Sequence, residues 1–376
     1  MRKNVSFFLI AVTVWGMGCV QCAVSHAQMP ECSSQLSPVS EKKPDNPDVE
    51  SEENEPKPGS EEFMKSLGIT QIWADIGYRG SYRLQVDYTG QKYRIIGDYW
   101  KLIEKGTEED VLKKWEALCE TTPETKGVAV LMVHGITRSS WCFNNMKKQI
   151  QDHGWNAYVF DYPSTYVPIE QCAEYLARAI DSLKTADEVH IIAHSMGGLV
   201  TRRYFQVRPE KHGLSRVIML GTPNTGAELA NLFGNWYLYR KIMGPAGQQL
   251  AVNPEGLIKT LPSPACEFGL VAGGRGPETN GYNLLLQGDD DFTVRVDSVF
   301  LEGAADFYRL PCVHLQLMKN KRVIENCIQF LQSGAFQESS TDEWLAITER
   351  RKALVQESEP QESEPKSLLA EPVEAN

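Results

Sequence analysis

Between residues 128 and 331 the apolar positions follow two alternating patterns. A continuous apolar run at 128–133 is followed by short, mainly apolar runs at 157–160, 189–193, 217–220, 268–272 and 307–313. Runs of this length suit strands buried on both faces of a parallel sheet. Between them lie stretches of helical period. The clearest is 169–183, where Ile169, Cys172, Ala173, Leu176, Ile180 and Leu183 share one face. Further helices are predicted over 140–153, from 196 to about 206, and over 321–331. This alternation predicts an α/β fold with a mostly parallel, doubly wound sheet.

A different pattern comes before it. Tyr82, Leu84, Val86 and Tyr88 alternate with polar residues, Thr89-Gly90 supplies a turn, and Tyr93 and Ile95 resume the alternation. That predicts a β-hairpin over 81–96. A helix follows over 108–119. Residues 63–126 thus read as a small N-terminal α+β module in front of a main domain at 127–334. The module shows no chemistry of its own.

Charge changes the picture at both ends. Residues 28–62 hold 10 acidic and 3 basic residues; residues 335–376 hold 10 acidic and 4 basic, with QESEP repeated in tandem at 356–365. These segments account for the formal net charge of −11 and leave the body near neutral. A near-neutral body gives no electrostatic reason to expect nucleic-acid binding. The two segments are predicted to be a disordered acidic linker and an acidic low-complexity tail.

The first 27 residues read as an export signal: Arg2 and Lys3, an apolar run from Val5 to Val14, then Ser25-His26-Ala27 before a cleavage at Gln28. The run is shorter than the ~18–20 residues that span a bilayer. The protein is therefore expected to be exported, periplasmic or secreted. Lipoprotein anchoring at Cys19 is the alternative, although Leu is missing three residues before it. Of nine cysteines, seven would remain after cleavage, so at least one thiol stays unpaired. Cys172 and Cys327 fall on apolar helix faces and read as buried free thiols. No Cys/His spacing suggests zinc.

The chemistry centres on Ile191-Ile192-Ala193-His194-Ser195-Met196-Gly197-Gly198, which reads as strand, sharp turn, helix. Such a turn lifts a serine to the top of the sheet, and small residues flank it because the backbones crowd there. The following helix aims its N-terminal amides at a developing oxyanion. A helix-capping serine is the plain alternative. The buried strand before it and the paired glycines after it favour the nucleophile.

Residues 127–334 resemble lipases and esterases of the α/β-hydrolase superfamily. VLMVHGI at 130–136, AHSMGGLV at 193–200, LGTPNTGAEL at 220–229 and GDDDFTV at 288–294, followed by His314, carry the likeness. Ala193 departs from the first Gly of GxSxG. Residues 63–126 are similar, more weakly, to the leader of some exported bacterial members. The resemblance implies the α/β-hydrolase fold and the chain order Ser, acid, His. Of seven histidines only His212 and His314 follow Ser195. No acid-bearing loop precedes His212, so His314 is the expected base. For the acid the resemblance favours Asp291, because Asp291-Phe292-Thr293-Val294 matches an Asp-Gly-x-Val segment; Asp289, Asp290, Asp297 and Asp306 are the alternatives. Phe292 stands where Gly is usual. A solvated acidic loop, or a cation site made by two of these aspartates, is the other reading of the run. The amides of Ile136 and Met196 are the expected oxyanion hole, and His134 is read as structural. Residues 224–262, with Leu232, Phe233, Trp236, Tyr237, Tyr239, Ile242 and Met243, are either a lid or acyl-binding element or a packed insertion.

These features imply a carboxylic-ester hydrolase working through an acyl-serine intermediate, with no cofactor and no metal. Its substrate would be a small-molecule or lipid ester, with peripheral contact to a membrane or lipid surface. An acyltransferase, or a silent hydrolase-fold domain that binds lipid or a partner, remain the alternatives. Oligomeric state is left open.

Overall fold

The computed structural model describes residues 68–358, except 210–212, 254 and 277–279. The export signal with its Gln28 cleavage, the Cys19 alternative, the linker at 28–62, His212 and the tail beyond 358 lie outside the described residues.

Among the described residues ten strands form two sheets. β1 (Trp73–Arg79), β2 (Tyr82–Asp87), β3 (Tyr93–Ile96) and β4 (Leu102–Gly106) make an antiparallel sheet in that order. β5 (Val128–Val133), β6 (Asn156–Phe160), β7 (Glu188–His194), β8 (Arg216–Leu220), β9 (Glu267–Gly274) and β10 (Asp306–Pro311) make an all-parallel sheet, order β10-β9-β8-β7-β5-β6. The apolar runs in the sequence mark these six strands because both faces are covered. Along β5, Ala129, Leu131 and Val133 face one core cluster, while Val130 and Met132 face the other.

The helices sort onto those two faces. On the first lie α3 (Ile169–Asp181) and α4 (Met196–Val207), packing through Leu176, Leu199 and Val200. On the second lie α2 (Asn144–Asp152) and α9 (Lys321–Ser333), packing through Met146, Ile150, Val323 and Phe330. α1 (Glu108–Thr121) belongs to the N-terminal sheet. α5 (Glu228–Phe233), α6 (Tyr237–Gln249), α7 (Leu257–Thr260) and α8 (Val296–Val299) lie in the connections after β8 and β9.

The N-terminal residues do not stand apart from the main sheet. Ile76, Tyr78, Leu84, Val86 and Ile95 share the first core cluster with α3. β1 meets the end of edge strand β6: the Asp75 amide donates to the Asp161 carbonyl, just past the strand, at 2.9 Å, and the Tyr78 hydroxyl donates to the Val159 carbonyl. The expected hairpin is β2–β3. Strands β1 and β4 have weaker signatures: β1 is bulged and carries a buried Asp75, and β4 alternates poorly. The expected inward Tyr88 lies instead beyond the strand end, where Asp87 closes the turn by accepting the Gln91 and Lys92 amides.

The acidic tail expected from residue 335 is corrected by the structure. Phe336 is buried against Phe330, and α10 (Thr341–Ser358) follows. Trp344 stacks on Phe300 at 4.7 Å, Ile347 is buried, and Glu343 pairs with Arg309 at 2.6 Å. Acidic composition averaged over the segment hides these three apolar anchors, which suffice to dock it. All six described cysteines are free, and Cys172 and Cys327 are buried. No helix among the described residues is long and apolar enough to cross a membrane.

Candidate active site

The chain turns sharply from β7 into α4 at Ser195, which takes φ 54°, ψ −125°. A non-glycine residue in such a conformation stores roughly 1–3 kcal/mol. The Ser195 amide donates to the Leu220 carbonyl at 2.8 Å, and its carbonyl accepts the Gly198 amide at 3.0 Å, so the turn is clamped from β8 and from its own helix. Crowding explains the glycines. A Cβ on Gly197 would sit 2.4 Å from the Val133 carbonyl oxygen, and one on Gly198 would sit 2.1 Å from Thr222 Oγ1. A Cβ on Gly135 would meet Ser195 Cβ at 3.0 Å.

Ser195 lines a small cleft, open to solvent, with His314, Ile136, Arg138, Leu250 and Val294 among its walls. His314 begins a 3-10 turn after β10. Its Nδ1–H donates to Asp291 Oδ2 at 2.6 Å, and its main-chain amide donates to the Asp291 carbonyl at 2.7 Å. With Nδ1 as donor, Nε2 is left as the acceptor. Asp291 Oδ1 accepts the amides of Thr293 (3.0 Å) and Val294 (2.7 Å), which fixes the carboxylate plane. The contact is so close that a Cβ on Gly221 would stand 3.0 Å from His314 Nδ1. Phe292 adopts φ 84°, the left-handed backbone that the usual Gly would enter without strain.

The other carboxylates turn elsewhere. Asp289 accepts the Arg275 amide at 2.6 Å and pairs with Arg309 at 3.3 Å. Asp290 Oδ1 accepts the amides of Asn283 and Phe292, at 3.0 and 2.7 Å. Burial pushes the Asp290 carboxyl up to about 6, against those two amides. Asp297 pairs with Arg295 at 3.1 Å, and Asp306 Oδ2 accepts the Phe336 amide. Each carboxylate of the run thus has its own structural partners. Among the described residues no group of His, Cys, Asp and Glu could hold a metal ion.

Ile136 and Met196 flank Ser195 in space, one on the loop after β5 and one at the start of α4. Among the described residues neither amide has a protein acceptor. His134 donates Nδ1–H to the Gly135 carbonyl at 2.8 Å and stacks on Tyr162, whose hydroxyl donates to the His134 carbonyl at 2.5 Å. Burial holds the His134 ring below its ordinary range. His194 has a role that its place in the motif does not reveal: Nε2–H donates to the His314 carbonyl. Burial, then neighbouring His314, keeps its ring neutral far below pH 6.5. The insertion is divided. Tyr239 and Met243 are buried and Leu250 walls the cleft, whereas Leu232, Trp236, Tyr237 and Leu238 are exposed.

Residues 102–261 match the model of a domain of unknown function, DUF7379. Methylesterase 3 of Arabidopsis thaliana is 26% identical over 106 residues, covering 26% of this chain and 40% of that protein. Lysosomal thioesterase PPT2 of Bos taurus is 28% identical over 138 residues, 33% of this chain and 45% of that protein. The chain spans less than half the length of these curated relatives. Among solved structures, the mature lipase BlEst2 of Bacillus licheniformis aligns at a TM-score of 0.43 and 21% identity, over 55% of this chain and 91% of that one. Phospholipase PlaB of Legionella pneumophila aligns at 0.40 and 19%, over 46% and 45%. The all-parallel six-stranded sheet, its order and its two helix-covered faces give the α/β-hydrolase fold. In an α/β-hydrolase the strand-to-helix turn, the loop after the first central strand and the loop after the last strand converge above the sheet. Those are the three places that hold Ser195, Ile136 and His314.

Proposed function

We propose that the chain hydrolyses carboxylic esters through an acyl-serine intermediate. Ser195 Oγ attacks the ester carbonyl carbon while His314 Nε2 takes its proton. The imidazolium so formed is stabilised by Asp291 and then delivers the proton to the departing alcohol. Water, activated by the same ring, attacks the acyl-serine carbonyl; Ser195 leaves with the proton and the acid is released. The amides of Ile136 and Met196 receive the negative oxygen in both tetrahedral intermediates.

The observation that carries this reading is the 2.6 Å bond between His314 Nδ1 and Asp291 Oδ2 beside a cleft that Ser195 also lines. A capping serine needs neither an oriented histidine nor a strained backbone. The relatives named as a methylesterase and a thioesterase support acyl chemistry in general. The apolar cleft walls Leu250 and Val294, with the exposed insertion residues nearby in sequence, support an acyl chain presented from a lipid surface. Export to the periplasm or medium, inferred from residues 1–27, would bring the enzyme to such substrates.

A fluorophosphonate probe tests the assignment. The wild-type protein is expected to label covalently and to hydrolyse p-nitrophenyl butyrate. Ser195→Ala, with an unchanged melting curve, is expected to do neither. A folded Ser195→Ala protein with near-normal turnover would overturn the assignment.

A further inference from the structure

We propose that the N-terminal antiparallel sheet, with the 3-10 turn Gly68–Thr70 that leads into it, is a clamp that sets the oxyanion loop, so that Gly68 and Arg83 are positioning residues for the reaction. This rests on the function proposed above. The loop at 134–140 leaves β5, brings Ile136 to the cleft and carries Thr137 at φ 60°. A non-glycine residue with such a φ persists only where its surroundings hold it. Most of what holds it comes from outside the loop.

Two anchors act at Thr137. The Gly68 amide donates to its carbonyl at 2.8 Å, and the Thr137 amide donates to Ser164 Oγ at 3.2 Å. Gly68 is pressed so close that a Cβ there would lie 1.7 Å from the Arg138 carbonyl oxygen. A third anchor acts at Ser140, whose amide and hydroxyl both donate to the buried Asp161 carboxylate at 2.8 Å. Asp161 is in turn tied to the N-terminal sheet. It accepts Arg83 Nη2 at 2.7 Å, and its amide donates to Asp75 Oδ2 at 2.7 Å. Arg83 Nε donates to Asp75 Oδ1 at 2.9 Å, and Gln85 Nε2 donates to the same oxygen at 2.8 Å.

One guanidinium therefore bridges two buried carboxylates, Asp75 on β1 and Asp161 just past β6. Arg suits this place because its planar fork reaches both partners at once, which a lysine ammonium cannot do in the same geometry. Burial works against the Asp161 charge, but Arg83, His134 and the Ser140 amide together outweigh it and hold that carboxyl below its ordinary range. The ionised carboxylate then accepts all three of its donors. An oxyanion donor is useful only where it meets the oxygen at hydrogen-bond distance, so a loop displaced by a fraction of an ångström loses rate rather than binding.

The test compares three variants of the full chain. Gly68→Ala pushes on the loop directly. Arg83→Lys keeps the charge and removes the fork. Arg79→Lys is the control: Arg79 bonds the Cys119 and Thr122 carbonyls within the N-terminal module and touches nothing in the loop. For each, kcat and KM on p-nitrophenyl butyrate are measured with the melting temperature and the Ki of a trifluoromethyl ketone, which forms a tetrahedral oxyanion on serine. Gly68→Ala and Arg83→Lys are expected to lower kcat by about ten-fold or more and to raise Ki in parallel, with KM within about two-fold, as for a weakened oxyanion donor. Arg79→Lys is expected to lower only the melting temperature. If either loop-directed variant folds and keeps wild-type kcat and Ki, the clamp is overturned. If neither folds while Arg79→Lys does, the network serves the fold and the clamp is overturned as well. A wild type inert to both substrate and fluorophosphonate overturns the proposed function, and the clamp with it.

Discussion

His194 Nε2–H donates to the main-chain carbonyl of His314 across 3.1 Å, and the two rings lie 4.5 Å apart. The residue before Ser195 thus holds the loop that carries His314. Because burial keeps the ring neutral, Nε2 remains a donor and Nδ1 carries no proton. His194→Phe keeps the ring volume and deletes the donor. It is expected to lower kcat roughly five- to ten-fold and stability by about 1–3 kcal/mol, since a buried carbonyl loses its partner. His194→Gln, which can return an amide N–H, is expected to recover part of both. Steady-state kinetics and urea unfolding of the two variants check this; equal kcat in His194→Phe and wild type would separate this bond from the placement of His314.

The aspartates divide the work of the acidic loop. Asp291→Asn retains shape but can donate to His314 Nδ1 and so favour the tautomer that cannot take the Ser195 proton. Turnover is expected to fall roughly 10³–10⁴-fold. Asp297→Asn, which weakens a partly exposed pair with Arg295, is expected to leave turnover within about two-fold. Turnover of p-nitrophenyl butyrate by the two purified proteins decides it, and an active Asp291→Asn would remove that residue from the triad.

Much of this is legible in the amino-acid sequence. The six parallel strands announce themselves because both faces are buried, and Ser195 because its turn demands small neighbours. Asp291 was harder. Three consecutive aspartates look alike in sequence, and the geometry that distinguishes them is the bond to His314, 23 residues on. Phe292 seemed to weaken the match to Asp-Gly-x-Val, yet the backbone there keeps the left-handed conformation that glycine favours. The bridge between Asp75, Arg83 and Asp161 left no trace, because its partners lie up to 86 residues apart. The helix at Thr341–Ser358 was obscured by its acidic composition.

Stability should respond to pH in two opposing ways. Unfolded, His194 takes a proton near pH 6.5; folded, it stays neutral far lower. Below pH 6.5 the unfolded chain therefore binds more protons, and this contribution to stability is lost as the pH falls. Asp290 runs the other way. Folded, it takes a proton at about 6, against 3.8 unfolded. Its contribution is full below pH 3.8 and lost as the pH rises through 6. Asp290→Asn deletes that loss. Relative to wild type, the variant is expected to gain on the order of 2–3 kcal/mol between pH 3.8 and 7.5. Urea midpoints of both proteins at the two pH values measure it; a difference that does not change with pH would show that the carboxyl titrates alike in the folded and unfolded chain.

The insertion after β8 offers the clearest separation of packing from substrate contact. Tyr239 and Met243 point into the core, whereas Leu232, Trp236 and Tyr237 are exposed, Tyr237 to 78%. Exposed apolar side chains add little to the fold, but each contributes up to roughly 1.5–3 kcal/mol once a lipid surface covers it. Replacing Leu232, Trp236 and Tyr237 together by Ser is therefore expected to leave turnover of soluble butyrate esters within about two-fold. Activity on emulsified long-chain esters should drop about ten-fold or more, through weaker binding to the surface. Met243→Ala provides the contrast: it opens a cavity behind the cleft wall and should lower stability by about 2–5 kcal/mol, with similar losses on both substrates near its melting temperature. The comparison is made as a ratio of the two activities at a temperature where all variants are folded. An unchanged ratio in the triple variant would mean that these residues meet no lipid, and that the insertion acts by covering the sheet alone.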